Sequence, residues 1–393
     1  MQARTKWLLP EGIDEVLPPR AVQLDRLCRQ LIDLFGSWGY ELVIPPMVEY
    51  LDSLLIGTGE DLDLQTFKLT DQLTGRMMGI RADTTPQVAR IDAHNLKRDI
   101  PTRLCYVGPV LHTRPAAHGG TRSPLQIGAE LYGHGGVESD AEILSLMLQS
   151  LHNCNLRNIH VDLSHVGIFR GLVNALKIDE EQKDVLFDTL QRKATAELTT
   201  VVNDWSIDRK YADMLINLLD LNGDINILDE ARRCLAAAGE EVTACIDQLQ
   251  RIAELTLAQS RSAPLYFDLA ELHGYHYHTG MMFSAYVPGQ GQEIARGGRY
   301  DDVGRAFGRS RPAAGFSTDI KALFNLASQP DEPPKGIFAP RSEVPGLQQM
   351  IDSLREEGNI VICELPGQQG GAAEMGCDRQ LVIEGGSWKV KQL

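Results

Sequence analysis

The residues from Glu271 to Asp301 gather side chains able to bind small molecules or move protons. The first run, Glu-Leu-His-Gly-Tyr-His-Tyr-His-Thr-Gly, interleaves His273, His276 and His278 with Tyr275 and Tyr277. The second, Glu-Ile-Ala-Arg-Gly-Gly-Arg-Tyr-Asp, ends on Gly298, Arg299, Tyr300 and Asp301. Two strand-like runs about a Gly/Pro turn predict a β-hairpin. Glycines within a strand mark a bulge or a close approach to the backbone. Imidazoles, phenols and an accessible backbone together point to a small-molecule pocket rather than plain core.

Metal chemistry is the first alternative. In a strand only His276 and His278 share a face, and no cysteine or carboxylate stands nearby at ligand spacing. The histidines therefore read as polar pocket lining, with no metal and no cofactor. The sequence contains neither a Gly-x-Ser-x-Gly nucleophile elbow nor a Gly-x-x-x-x-Gly-Lys phosphate loop. Three charges stand out: Asp83, Glu130 and Arg299, each on or beside an expected strand. A charge buried without a partner is expensive. Each must meet solvent, a counter-charge or a ligand, and their pattern alone does not decide which.

The elements that would position these groups are legible in the hydrophobic pattern. Pro19 suits the first turn of a helix, and Leu24, Leu27, Leu31, Leu34 and Phe35 recur at helical spacing. Strands are expected at Glu41–Ile44, Phe67–Leu69, Met77–Ile80, Leu104–Val107, Leu125–Gly133, Asn158–Leu163 and Leu265–Leu269. Helices are expected over Gln87–His94, Ala141–Leu151 and Thr318–Leu326. Gly108–Pro124 reads as a long surface loop. Roughly residues 166–262 lose strand signals and read as a helical insertion between two halves of a sheet. Ser328–Lys335 is a linker by composition, dividing a core (1–327) from a tail (328–393). The tail reads as a small α/β module: a strand over Gly336–Ala339, a helix over Val344–Glu356, a strand over Asn359–Glu364 and a last strand or hairpin over Arg379–Val390. The order implies an α+β fold around an antiparallel sheet flanked by helices.

Composition narrows the partners. The 393 residues carry a formal net charge of −15, and the longest basic clusters are pairs such as Arg232-Arg233. That balance weighs against nucleic acid, which draws on Lys and Arg to neutralise phosphates. No apolar run is long enough to span a bilayer, and no membrane association is expected. The seven cysteines are scattered and odd in number, as free thiols in a reducing cytoplasm would be.

Taken in order, these segments resemble the core of class II histidyl-tRNA synthetases over roughly residues 8–326. Leu9-Pro10-Glu11-Gly12 with Leu17-Pro18-Pro19 is similar to that family's opening segment. Gly39-Tyr40-Glu41 through Pro46 and Glu49 resembles its first motif, which builds the dimer interface. Ile80-Arg81-Ala82-Asp83-Thr84-Thr85 is similar to its Leu-Arg-Pro-Glu-Gly-Thr, and Gly108-Pro109 with Gln126-Ile127-Gly128-Ala129-Glu130 frames its second motif. The Glu271–Asp301 stretch resembles the histidine-specific Arg-Gly-Leu-Asp-Tyr-Tyr-Thr-Gly and Gly-Gly-Arg-Tyr-Asp segments, and Pro312–Phe316 the third motif. Each match is weak alone; six in the right order are specific.

The resemblance implies an amino-acid pocket without a working ATP site. Asp83 and Thr85 fall on the ammonium side, Gln126 beside them, and Glu130 on the imidazole side. Tyr277, His278 and Tyr300 surround the ring, with Arg81, His273, Gly298 and Arg299 in support. Asp83 is one methylene shorter than the family's Glu, and His278 replaces a tyrosine. The three ATP-site arginines of the synthetases are replaced: His112 with Arg114 stands at motif two, Asp319-Ile320-Lys321-Ala322 at the end of motif three, and His273 at the catalytic arginine. Charge stabilisation of a transferring group needs fixed cations, so amino-acid activation should fail.

A synthetase body with this pocket and a short tail resembles the regulatory subunit of short-form ATP phosphoribosyltransferase. That resemblance implies a non-catalytic protein in the first step of histidine biosynthesis, homodimeric through its core and assembled with a catalytic subunit. It would activate that subunit and mediate inhibition by histidine. A divergent histidyl-tRNA synthetase and a free-standing histidine-binding module remain the alternatives at this stage.

Overall fold

A computed structural model describes residues 8–56, 60–115, 120–205, 207–259, 264–272, 274–275, 277–327 and 335–393. The chain forms two compact units, residues 1–328 and 329–393.

The first unit begins with α1 (Arg20–Ser37), β1 (Glu41–Leu42), β2 (Val48–Tyr50), α2 (Leu51–Leu54), α3 (Glu60–Gln65), β3 (Phe67–Thr70) and β4 (Met77–Ile80). α4 (Thr85–Arg90) continues as a π-helical stretch, Ile91–Leu96. β5 (Thr102–Pro109), β6 (Leu125–Tyr132), α5 (Val137–Asn153) and β7 (His160–His165) follow. The helical region holds α6 (Val166–Leu176), α7 (Glu180–Gln191), α8 (Thr195–Asp204), α9 (Arg209–Leu218), a two-residue β8 (Asn222–Gly223), α10 (Ile227–Cys234) and α11 (Glu240–Gln259). β9 (Leu265–Asp268), β10 (Met281–Tyr286), β11 (Ala295–Arg299), β12 (Ala313–Asp319) and α12 (Ile320–Leu326) complete the unit.

Nine strands form one sheet in the order β1-β5-β6-β12-β11-β10-β7-β9-β8. It is antiparallel from β5 through β7 and parallel only at β1/β5 and β7/β9. Side chains alternate across each strand, so β6 divides cleanly. Ile127, Ala129 and Leu131 join a core with Leu31 and Phe35 of α1 and Ile143, Leu144 and Met147 of α5. Gln126, Gly128 and Glu130 face the other way. Phe316 of β12 meets Phe35 edge-on, with ring centroids 6.0 Å apart.

The helical region is not a separate body. Phe169, Leu186, Leu198, Leu215, Ile246 and Leu249 are buried in the same core as α1 and the sheet. Close helix packing explains two of its glycines: a Cβ on Gly167 would stand 2.5 Å from Cys245 Sγ, and one on Gly171 would overlap Val242.

Several expectations shift. In the first run of the expected hairpin Gly274, Tyr275 and Tyr277 lie in turns rather than a strand, and β10 starts only at Met281. Gly274 (φ +81°) turns the chain, its carbonyl accepts the amides of Tyr277 and His278 at 2.9 and 3.0 Å, and His278 Nδ1 lies 2.9 Å from the same oxygen. Local turn bonding thus overrides the alternation read as a strand. His273 and His276 lie outside the described residues. The strand expected over Glu41–Ile44 stops at Leu42, ahead of two prolines that lack ladder donors. The helix expected from Thr318 starts at Ile320, because β12 runs to Asp319, which caps it by accepting Lys321 N–H at 3.0 Å. The described residues on either side of 116–119 are tied together, with Val110 N–H bonded to Pro124 O and His112 N–H to Arg122 O.

The second unit has β13 (Gly336–Ala339), α13 (Leu347–Glu356), β14 (Val361–Cys363), β15 (Cys377–Glu384) and β16 (Ser387–Gln392), in sheet order β14-β13-β15-β16. Ile337, Ile351, Leu354, Val361 and Leu381 form its core. No described helix is long and apolar enough to cross a membrane.

Candidate functional site

The pocket is built on one row of the sheet. Across neighbouring strands, Leu104, Glu130, Gly315, Gly298 and Met282 stand in register. Two glycines beside a glutamate leave room above the backbone. A Cβ on Gly315 would overlap the Glu130 carboxylate and the Tyr300 hydroxyl. A Cβ on Gly298 would lie 2.5 Å from the His278 ring and overlap Met281 O.

Glu130 is only 1% exposed. Its Oε1 accepts Thr85 Oγ1 at 3.0 Å and Tyr106 OH at 3.3 Å, and its Oε2 accepts Tyr300 OH. Burial pushes its carboxyl up to about 8, and the nearby Asp83 charge adds to the rise; the bonds from Tyr300, Thr85 and Tyr106 oppose it.

A second carboxylate closes the other end. Asp83 Oδ1 accepts Gln126 Nε2 at 2.8 Å and the Thr85 amide at 3.2 Å. Gln126 also accepts the Thr84 amide at 2.9 Å and donates to Ser317 Oγ at 3.2 Å. Helix α4 begins at Thr85, so the strand-to-helix turn after β4 delivers both Asp83 and Thr85.

The third side is aromatic. The Tyr277 and Tyr300 rings lie 5.0 Å apart, His278 stands 6.1 Å from Tyr300, and Tyr277 meets His278 edge-on at 5.6 Å. Among the described residues, the buried Thr84 Oγ1, Tyr132 OH and Tyr277 OH have no hydrogen-bond partner. Buried polar atoms are normally satisfied, and the Tyr132 and Tyr277 phenols are two exceptions that feel the Glu130 charge.

Asp83, Thr85, Gln126, Glu130, Tyr277, His278, Tyr300 and Gly298 come together here. Two expected supporting residues do not. Arg299 alternates with Gly298 and Tyr300 along the chain, so its side chain takes the opposite face. There it is buried against the start of α5, paired with Asp140 at 2.8 Å and Asp301 at 3.1 Å, and bonded to Ser139 Oγ at 2.8 Å. Arg81 is a brace: it donates to Pro109 O at 2.9 Å and Pro45 O at 3.0 Å, joining three loops. His273 lies outside the described residues. Sequence reasoning missed Tyr106, Tyr132, Thr84, Ser317 and Gly315. The available signal was glycine within strands: Gly128 sits opposite Tyr106, and its Cβ would lie 2.6 Å from that hydroxyl.

The adjoining region differs. Asp319 accepts the amides of Leu125 and Lys321, both at 3.0 Å. Lys321 Nζ lies 2.9 Å from Asp14 Oδ1, which also accepts Thr121 Oγ1 at 2.7 Å and Ser123 Oγ at 2.8 Å. Arg122 donates to His112 O and Glu11 O, both at 3.0 Å, and His112 Nε2 lies 2.8 Å from Ala82 O. Arg114 is exposed.

Known proteins share this architecture. The family model for histidyl-tRNA synthetase matches residues 12–323. That for the ATP phosphoribosyltransferase subunit HisZ C-terminal domain matches residues 334–391. An ATP phosphoribosyltransferase regulatory subunit from Thioalkalivibrio sulfidiphilus is 55% identical, with 100% of each chain covered. The chain belongs to the ATP phosphoribosyltransferase regulatory subunits. Its counterpart in Pseudomonas syringae pv. syringae is 53% identical over 99% of this chain and 98% of that one. Among solved structures, an ATP phosphoribosyltransferase regulatory subunit/histidyl-tRNA synthetase from Bacillus halodurans aligns at TM-score 0.85 and 26% identity, covering 94% of this chain and 96% of that one. Histidyl-tRNA synthetase from Nostoc sp. PCC 7120 shares the fold at TM-score 0.79 and 18% identity, over 96% of this chain and 91% of that one. The regulatory subunit thus has the α+β architecture of a class II synthetase.

Proposed function

We propose that this regulatory subunit activates the catalytic subunit of short-form ATP phosphoribosyltransferase and carries the site through which histidine inhibits the assembly. One observation carries the reading: the buried Glu130 carboxyl stands beside the unpartnered Tyr132 and Tyr277 hydroxyls, with Asp83 at the far end. Histidine presents a cation and an imidazole in that arrangement. Its ammonium group falls to Asp83 with Thr85 and Gln126, its imidazole N–H to Glu130. Tyr277, His278 and Tyr300 enclose the ring. Inhibition requires histidine to bind the inhibited arrangement better than the active one, since equal binding shifts nothing.

Catalysis of phosphoribosyl transfer belongs to the partner. In the adjoining region Lys321 and Arg122 are held in internal bonds. The same reading makes the subunit a cytoplasmic homodimer through its core, with no nucleic-acid partner. The test is reconstitution with a short-form catalytic subunit. The mixture gains phosphoribosyltransferase activity and loses it on titration with histidine. A catalytic subunit that neither co-purifies with this protein nor gains activity overturns the reading. An ATP–pyrophosphate exchange assay with histidine is expected to give no turnover; turnover would return the synthetase alternative.

A further inference from the structure

The turn that carries Tyr277 and His278 hangs by its carbonyls from the junction of β7 and α6. Ser164 Oγ donates to Glu271 O at 3.0 Å. The first amide of α6, Val166 N–H, donates to Gly280 O at 3.1 Å. Between these, Arg170 Nη2 on the next turn of the helix donates to His278 O at 2.8 Å and reaches Tyr275 O at 3.4 Å. Its guanidinium also lies 5.1 Å from the Tyr275 ring centroid, at stacking distance. Tyr275 is wedged between Phe169 of α6, at 5.1 Å, and Phe187 of α7, at 5.3 Å. The wall of the pocket is therefore fastened at one carbonyl to β7, and at three carbonyls and one aromatic plug to the helical region.

We infer that Arg170 is a positioning residue for the pocket, and that α6 thereby makes the helical region part of the binding site. The physical reason is geometric. Thr279 pins one end of the turn to the sheet, its amide donating to Arg299 O of β11 at 2.7 Å and its Oγ1 accepting the Asp301 amide at 2.9 Å. Within the turn, the amides of Tyr277 and His278 share one acceptor, Gly274 O. Tyr277 and His278 contact Tyr300 only while the turn stays at this height above β11. With Thr279 holding one end, the Arg170 guanidinium, bonded to His278 O and reaching Tyr275 O, fixes the height of the rest. α6 is itself fixed, because Gly167 and Gly171 allow it to sit hard against Cys245 and Val242 of α11. Any shift of α6 relative to the sheet must then move the aromatic wall.

The test uses the full chain with Arg170→Met, which keeps length and removes the donors, and Arg170→Lys, which keeps a cationic donor. Hydrogen exchange is followed without ligand. The Tyr277 and His278 amides are expected to exchange about tenfold faster in Arg170→Met, as loss of a charge-assisted hydrogen bond implies, while β5 and β6 amides keep their rates. Arg170→Lys is expected to fall between that variant and the wild type. Calorimetric titration with L-histidine should then give a dissociation constant about tenfold higher for Arg170→Met, partly restored in Arg170→Lys. Wild-type exchange at the turn in Arg170→Met overturns the assignment, as does a Lys variant no better than Met. The affinity arm rests on the effector reading above. Should the wild type bind no histidine, that reading falls, while the ligand-free exchange still decides the role of Arg170.

Discussion

The two halves of the synthetase-like cleft treat their polar groups in opposite ways. Around Glu130, among the described residues, the hydroxyls of Tyr132 and Tyr277 are buried without partners. Around Lys321, the charged groups answer one another: Lys321 with Asp14, Asp14 with Thr121 and Ser123, and Asp319 with two backbone amides. Leaving a buried polar atom unsatisfied costs about 1–3 kcal/mol. On the reading proposed above, a bound ligand supplies partners to the hydroxyls near Glu130.

The largest expected effect comes from breaking the unsatisfied half at its centre. Glu130→Ala removes the group expected to accept the imidazole N–H and strands Tyr300 and Thr85 as well. Histidine inhibition of the reconstituted enzyme should weaken by about 30- to 100-fold, the equivalent of about 2–3 kcal/mol, while size-exclusion chromatography shows assembly intact. Unchanged inhibition would place the effector elsewhere.

Gly315→Ala attacks the same half through space rather than charge. Its Cβ would collide with Glu130 and Tyr300, and overpacking of this kind costs about 1–3 kcal/mol. Urea unfolding should register that loss, and calorimetry a loss of histidine binding. A variant as stable as wild type with undiminished affinity would mean that the row of glycines does not shape the pocket.

A third measurement reads the proton on Glu130. Its carboxyl is raised from 4.5 to about 8 by burial, so the folded state holds a proton that the unfolded chain has released. The contribution is fully present below pH 4.5 and is lost as pH rises towards 8, at up to about 1.4 kcal/mol per unit. Glu130→Gln cannot ionise and should flatten this slope, so the two unfolding curves differ most near pH 8. Parallel slopes would mean that Glu130 ionises normally and that the two halves differ less than their hydrogen bonds indicate.

Much of this contrast was legible in the chain, though unevenly. Strands β5, β6 and β7 and helix α5 follow from alternation and helical periodicity, because both faces of each are set by one core. Asp83 and Glu130 stood out as charges on or beside strands, and the family motifs brought Tyr277 and Tyr300 to them. What failed to carry was local geometry. Tyr277 and His278 alternate as a strand would, yet Gly274 folds them into a turn. Arg299 belongs to a pocket motif, but a period of two sends its side chain to α5 and Asp140. Tyr106 and Ser317 were invisible because nothing in β5 or β12 alone reveals what lies across the sheet. The helical region read as an insertion, and its buried continuity with α1 and the sheet could be seen only in three dimensions.

The smallest effect is expected in the satisfied half, and it is the sharpest test of the contrast. Lys321 is 12% exposed and Asp14 48%, so their ion pair is partly screened by solvent and contributes under about 1 kcal/mol. Lys321→Met keeps the apolar stem against the protein and removes the charge. Asp14 then retains Thr121 and Ser123 as donors, which softens the loss further. The variant should unfold at nearly the wild-type urea concentration, and its histidine affinity should stay within about twofold, since separated sites without shared partners act additively. A tenfold change in histidine affinity would reveal that the two halves still communicate through Asp319 and Gln126, neighbours in register across β12 and β6. The satisfied half would then be a working part of the sensor.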